Sequence, residues 1–251
     1  MKAIILAAGK GKRLQPYTKN IPKCLLTLDK ETILEHQINH LKSSEIQEIN
    51  VVVGFGSDRV EQFLSNYDSL GIKINTIYNP FWESTNSLFS LWAARAELDS
   101  DVVVLNGDDV FELNVLKLAI SCKSEITLPF KVKEEYPQED MKIKIQDGVL
   151  VDISTEIKNP DGESVGIRVF RQEGVGILQR SLEKEIRTDD FNKKWYVSAI
   201  ERILQRGHKV NTVDINNLYW HDVDYPHDLE NAKQNISIIS NKKSNTKLNV
   251  V

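Results

Sequence analysis

Apolar positions in this chain follow two rhythms that alternate. Short, nearly unbroken apolar or β-branched runs occur at residues 3–7, 49–53, 73–78 and 102–105, as expected for strands buried in a parallel sheet. Between them, residues 31–43 place Ile33, Leu34, Ile38 and Leu41 at helical spacing. Ser57-Asp58 opens a second helix reaching Tyr67, and residues 86–98 make a third. Gly54-Phe55-Gly56 and Asn79-Pro80 terminate the second and third runs. This succession predicts an α/β fold with a doubly wound, mostly parallel sheet, whose ligand lies at the carboxyl ends of the strands.

From residue 124 the rhythm changes. Residues 125–130, 142–146, 149–154 and 166–171 read as strands, with Gln146-Asp147-Gly148 as a hairpin turn. Helices resume at 173–186 and 197–205, a strand follows at 210–214, and a closing helix runs from Tyr225 to about Ile238 with Pro226 in its first turn. The middle third is expected to form a small β-rich flap, roughly 125–170, laid over one end of the sheet. Residues 1–239 then form one domain. The Asn-, Lys- and Ser-rich stretch 240–251 is expected to be a disordered tail.

Composition narrows this picture. The 251 residues carry a net charge of −4, which argues against non-specific nucleic-acid binding. Cys24 and Cys122 make no disulfide framework and suit a reducing compartment. No run has the length of a membrane span and the start has no signal-peptide pattern, so a cytoplasmic protein without membrane contact, a monomer or homodimer, is expected.

Against that mild acidity one local cationic stretch stands out. After the first apolar run, Gly9 and Gly11 alternate with Lys10, Lys12 and Arg13, and the loop closes at Pro22-Lys23. Glycine lets backbone N–H groups approach phosphate oxygens, and the cationic side chains neutralise them. Neither a Walker loop nor a dinucleotide fingerprint fits, because Leu14 occupies the third glycine position of the latter. Pro22 constrains the chain that delivers Lys23, and Arg13 offers a planar fork that stays protonated. Asn106-Gly107-Asp108-Asp109 ends a strand at the same sheet edge. Asp108 stands where a Mg²⁺ ligand would stand, or caps the helix near Glu112, and Asp109 reads as a cap or turn residue for the same helix. Trp220-His221-Asp222-Val223-Asp224 offers further carboxylates, with His221 read as packing.

The stretch Leu6-Ala7-Ala8-Gly9-Lys10-Gly11-Lys12-Arg13-Leu14, with Pro16, Thr18, Pro22-Lys23 and Leu25, resembles the signature of nucleotidyltransferases that activate sugar phosphates and small alcohol phosphates. The resemblance implies their Rossmann-like fold, Mg²⁺ as cofactor, and a nucleoside triphosphate and a small phosphorylated acceptor as partners. It places Arg13 and Lys23 in catalysis and Asp108 and Asp224 on the metal. Leu6, Ala7, Ala8, Gly9 and Gly11 would bind the nucleotide. Asn86, Ser90 and Leu91 match an element of phosphocholine and inositol-phosphate cytidylyltransferases, which points to base contact by Asn86 or Ser87; a helix N-cap explains Thr85 or Asn86 equally well.

On the flap, Lys142 and Lys144 share one strand face and either protect an edge or grip the acceptor phosphate. Lys158 resembles a degraded E-K-P element, and Glu163 precedes a strand where the family binds its acceptor. Phe81, Trp82, Tyr136, Trp195 and Tyr196 are candidates for an aromatic cage around a quaternary ammonium, or for core. Together these features imply transfer of a nucleoside monophosphate, CMP from CTP in first place, to an acceptor of the phosphocholine, inositol 1-phosphate or aminoalkylphosphonate type. A sugar-1-phosphate nucleotidyltransferase, a non-catalytic nucleotide-binding subunit and a nucleotide-sugar glycosyltransferase are the alternatives.

Overall fold

The computed structural model of the chain describes residues 1–67, 69 and 71–248, with residues 240–248 described by their backbone alone. Strand β1 (Lys2–Leu6) lies between two parallel neighbours, β2 (Glu48–Val53) and β4 (Val102–Asn106), and β3 (Lys73–Tyr78) continues the sheet beyond β2. Alternate residues of β1 enter different cores. Ile4 packs with Val52, Val104, Leu88, Leu178 and Ile200 on one face, while Ala3 and Ile5 join Val51, Val103, Leu34, Ile38 and Leu116 on the other. Helices α3 (Ser87–Ala93), α5 (Glu173–Glu185) and α6 (Val197–Gln205) supply the first face. Helices α1 (Ile33–Ser43), α2 (Ser57–Asn66) and α4 (Leu113–Ser121) supply the second. Burial on both sides is why these strands read as unbroken apolar runs rather than alternating ones.

β4 and β2 lie on opposite sides of β1, so the winding reverses at β1 and β4. Leu6 and Asn106, the last residues of those two strands, are register partners. Two loops therefore leave the sheet side by side and open a crevice, the usual ligand position in such sheets.

Beyond β4 the sheet becomes mostly antiparallel, with one parallel pairing among its later strands. β10 (Ile167–Phe170) pairs with β4, and β6 (Ile126–Lys131), β9 (Gly162–Ser164), β7 (Lys142–Gln146), β8 (Val149–Ser154) and β11 (Asn211–Asp214) follow. The β-rich middle third is therefore an extension of the central sheet rather than a layer over its end. Its strand edges meet their backbone partners through β6, which pairs with both β10 and β9. The β7–β8 turn has Asp147 and Gly148 at φ 51° and 75°, the two positive values that the tightest hairpin turn requires.

A second, two-stranded sheet joins β5 (Asp109–Phe111) to β12 (Trp220–Asp222). Asp109, expected to cap a helix or form a turn, is instead a fully buried strand residue opposite Asp222, because β12 needs a partner for its backbone. The closing helix α7 (Pro226–Leu248) packs Leu229, Ala232 and Ile236 against Leu14, Leu26 and Val223. It continues through residues 240–248, where a disordered tail is expected from composition, since extending a formed helix adds a backbone bond for each residue ordered. Residues 249–251 of that stretch lie outside the described residues.

The crevice depends on close backbone contact at Gly107, whose N–H bonds Leu6 O at 3.0 Å. A Cβ there would stand 2.6 Å from that same oxygen and 2.9 Å from Ala7 Cα. Gly107→Ala is expected to lower stability by about 2 kcal/mol or more, because both obstacles are backbone. Gly9→Ala, with nothing within 4 Å of the added carbon, should stay within about 0.5 kcal/mol of the parent. Urea denaturation of both variants decides the matter; equal midpoints would remove the packing role of Gly107.

Candidate active site

The crevice is a cleft of about 520 Å³, within the usual range for small-molecule sites. Residues 6–13 form one wall, so Leu6, Ala7, Ala8, Gly9, Gly11 and Arg13 all line it. Phe55 N–H bonds Ala8 O at 3.0 Å, and Thr18 Oγ1 donates to Gly11 O at 2.6 Å. Gly11 adopts φ 61°, a left-handed turn that glycine enters without strain, and starts a tight helical turn at Lys12–Leu14. Lys10 Nζ sits 5.4 Å from the Phe55 ring centroid, which turns this cation toward the protein.

At the cleft's centre Lys23 joins two distant parts of the chain. Its Nζ donates to Asp108 Oδ2 and to Asp224 Oδ1, each at 2.6 Å. Asp224 also accepts from Arg13 Nη2. The β5–β12 pair makes this convergence possible. Asp109 faces Asp222 across it, and Val223 N–H bonds Asp108 O at 3.1 Å, so the flanking residues Asp108 and Asp224 emerge together. Asp228 caps α7, accepting from the backbone N–H groups of Asp224 and Tyr225 and from His221 Nε2. That anchor explains His221, a structural residue as its sequence context suggests.

The electrostatics follow from crowding. Burial alone would push the Lys23 ammonium down, but Asp108 and Asp224 outweigh it and hold its pKa above the ordinary lysine value. Burial, then Asp108 and Asp224, push the Asp222 carboxyl up to about 6. Burial, with Asp108 and Asp222 beside it, raises Asp109 well above the carboxylate range. Two carboxylates sharing one ammonium are of the oxygen-donor type that a hard cation takes. Magnesium takes one or two carboxylates and completes its shell with phosphates and water. Asp108 and Asp224 fit that requirement, and the Lys23 ammonium already stands between them as a cation. Among the described residues there is no ready-made group of three or more metal-ligating side chains.

The other expected residues divide. Asn86 and Ser87 line the cleft. Asn86 occupies the N-cap position of α3, yet its side chain makes no cap bond and donates to Lys193 O at 2.8 Å; Ser87 Oγ accepts from Tyr196 N–H. Lys142 does not line the cleft. It is buried, and its Nζ donates to the carbonyls of Pro137, Gln138 and Thr155, which use all three protons. Lys144 pairs with Asp161, and Lys158 lies exposed in the loop after β8, outside the cleft lining. A turn delivers Lys158 to solvent because the strand that would carry it inward has already ended at Ser154.

Glu163 does line the cleft, buried on β9 and paired with Lys133, which also holds Asp140 at 2.9 Å. Of the aromatic residues, Trp82, Trp195 and Tyr196 line the cleft and Phe81 and Tyr136 do not. Sequence reasoning missed Gln37, whose amide donates to Asn106 O and Asp109 O at 2.8 Å each and pins the loop between β4 and β5. It also missed Arg168, whose one sequence signal is a charge inside an apolar strand.

Burial pushes the Glu163 carboxyl up to about 8 against the pull of Lys133. The unfolded chain releases that proton near pH 4.3 (about the ordinary glutamate value). The folded protein therefore binds more protons between those limits, and the contribution of Glu163 is full below them and lost as pH rises toward 8. Glu163→Gln should flatten the fall in urea midpoint between pH 5 and 8. Parallel curves for variant and parent would mean that Glu163 is ionised throughout.

Residues 2–238 match the nucleotidyl transferase family. The chain belongs to it. A relative, the CTP:phosphoglutamine cytidylyltransferase of Campylobacter jejuni, is 26% identical over 253 residues, covering 92% of this chain and 98% of its own. The CMP-5'-(3-aminopropyl)phosphonate synthase of Streptomyces rubellomurinus is 29% identical over 243 residues, and there the match spans 92% of this chain but only 38% of the relative. Among solved structures, the CTP:phosphocholine cytidylyltransferase of Streptococcus pneumoniae superposes with a TM-score of 0.76 over 94% of this chain and 98% of its own, at 20% identity. That last likeness establishes the fold. This nucleotidyltransferase is thus an enzyme of the class that the opening loop implies, and no helix among its described residues is long and apolar enough to cross a membrane.

Proposed function

We propose that this nucleotidyltransferase moves CMP from CTP to a small acceptor carrying a phosphate or phosphonate, releasing pyrophosphate. The observation that carries the reading is Lys23 bridging Asp108 and Asp224 beside a glycine-rich loop in one cleft. CTP is favoured because the named relatives include a phosphoglutamine cytidylyltransferase and a synthase of a CMP-phosphonate.

The nucleotide lies along residues 6–13, where Gly9 leaves its surroundings open and Arg13 meets the leaving pyrophosphate with a guanidinium fork. Asn86 and Ser87 lie at the head of α3 for the base or ribose. Asp108 and Asp224 would hold Mg²⁺, which supplies polarisation of the α-phosphate and neutralises developing charge. Lys23, kept protonated by the same two carboxylates, orients and neutralises the attacking phosphate oxygen. That oxygen is already ionised at neutral pH and needs no general base, so positioning and charge stabilisation carry the reaction.

A pyrophosphate-release screen tests this, with four nucleoside triphosphates against phosphorylated alcohols, phosphonates and sugar 1-phosphates in the presence of Mg²⁺. CTP with a small phosphorylated or phosphonylated acceptor is expected to turn over. Turnover only with a sugar 1-phosphate and UTP or dTTP would replace the reading with sugar activation, and silence across the panel would refute it.

A further inference from the structure

Arg168 interrupts an otherwise apolar strand, Gly166-Ile167-Arg168-Val169-Phe170. Ile167 and Val169 enter one core and Phe170 the other, so Arg168 shares the face of Phe170, where an aliphatic side chain would ordinarily pack. The residue is only 2% exposed. Its guanidinium donates through Nη1 to the Tyr196 hydroxyl and through Nη2 to Ser164 Oγ at 2.7 Å, while its Nε–H has no partner. The Tyr196 ring lies 4.8 Å from Cζ. Among the described residues no carboxylate pairs with it, and nearby Asp109 leaves both of its own oxygens without hydrogen bonds.

Arginine does not shed its proton to escape burial. A buried charge bonded to two hydroxyls and a ring, with Asp109 acting on it only through space, is unfavourable, and a hydrogen-bonded anionic partner offsets that cost. Arg168, Ser164 and Tyr196 all line the cleft, so the partner can be a ligand. The reacting phosphoryl group belongs at Lys23, Asp108 and Asp224. Arg168 shares no hydrogen bond with any of them, and it rises from the level of Val104, deeper in the sheet than Asn106 at the strand end.

We propose that Arg168 is a specificity residue of the acceptor subsite and binds a carboxylate carried by the acceptor in addition to its phosphoryl group. The substrate class is then phosphorylated or phosphonylated hydroxy and amino acids. This rests on the nucleotidyl transfer read above. A planar carboxylate matches the planar fork, and Ser164 and Tyr196 are positioning residues that hold the fork level.

Calorimetric titration tests it without turnover. The protein is saturated with Mg²⁺ and a CTP analogue bearing a methylene bridge between the α- and β-phosphorus. Two acceptor pairs are compared, O-phosphoserine with O-phosphoethanolamine, and phosphonoalanine with 2-aminoethylphosphonate; each pair differs by one carboxylate. The carboxylated member is expected to bind at least about tenfold tighter, the worth of one charge-assisted contact. Arg168→Gln should erase that preference and Arg168→Lys restore part of it, with affinity for the CTP analogue moving by no more than about twofold.

A wild-type protein blind to the carboxylate overturns the proposal. So does an Arg168→Gln protein that keeps the preference, or one that loses both members equally, which would make Arg168 a phosphoryl contact. Should Arg168→Gln fail to fold, Ser164→Ala, which frees one arm of the fork, must narrow the wild-type preference. Failure of the pyrophosphate screen would remove the transfer reaction while this binding preference still stood or fell by itself.

Discussion

Lys23→Met is expected to lower the rate of pyrophosphate release by about a thousandfold, the usual loss when a preorganised cation or donor is taken from a charge-developing centre. Among the described residues Lys23 is the one side chain that touches both Asp108 and Asp224, and only 11% of it is exposed. The methionine keeps the volume of the stem and removes the charge. Asp108, Asp222 and Asp224 then face one another with Arg13 as the remaining contact, on Asp224. A second readout separates this from simple damage: millimolar Mg²⁺ alone should raise the melting temperature of Lys23→Met more than that of the parent, because added positive charge replaces what the mutation removed. Turnover within tenfold of the parent would reduce Lys23 to a structural counter-ion.

Asp224→Asn is expected to cost about as much, roughly a thousandfold in kcat, and so is Asp108→Asn. Each change preserves shape and removes one negative charge. The α7 cap survives in Asp224→Asn, since residue 224 enters that cap through its backbone N–H and not its carboxylate. The double variant should be little worse than either single one, because two carboxylates that hold one cation act as a unit. Single-turnover rates with CTP and the acceptor found in the screen measure this. Losses that multiply, or a single variant with full activity, would separate the two aspartates and dismantle the shared site.

Much of the scaffold was legible from neighbours in sequence. Lys73–Tyr78, Lys142–Gln146, Val149–Ser154 and Val197–Gln205 have the expected boundaries, because each keeps one sequence period throughout. β5 and β9 were not legible. Each is three residues long, too short for a period to show. Lys142 illustrates the limit at the site. Its alternation with Lys144 on one strand is real, but three carbonyls from Pro137, Gln138 and Thr155 capture its ammonium, and nothing local to the strand announces them.

The sequence by itself determined the winding of the first half of the sheet and the glycine-rich cationic loop at residues 9–13, and it singled out Lys23, Asp108 and Asp224 as candidates. The winding depends on periodicity and the loop on glycine and proline stereochemistry, while the two aspartates were singled out by strand-end position and by resemblance to a family. Only the tertiary structure decided that β12 pairs with β5, that Asp109 is buried rather than a cap, and that an arginine on β10 lines the cleft with its Nε–H unbonded among the described residues. Such features depend on which distant backbone groups satisfy one another, and on which charges are left over when they have done so. Periodicity along a chain carries no record of either.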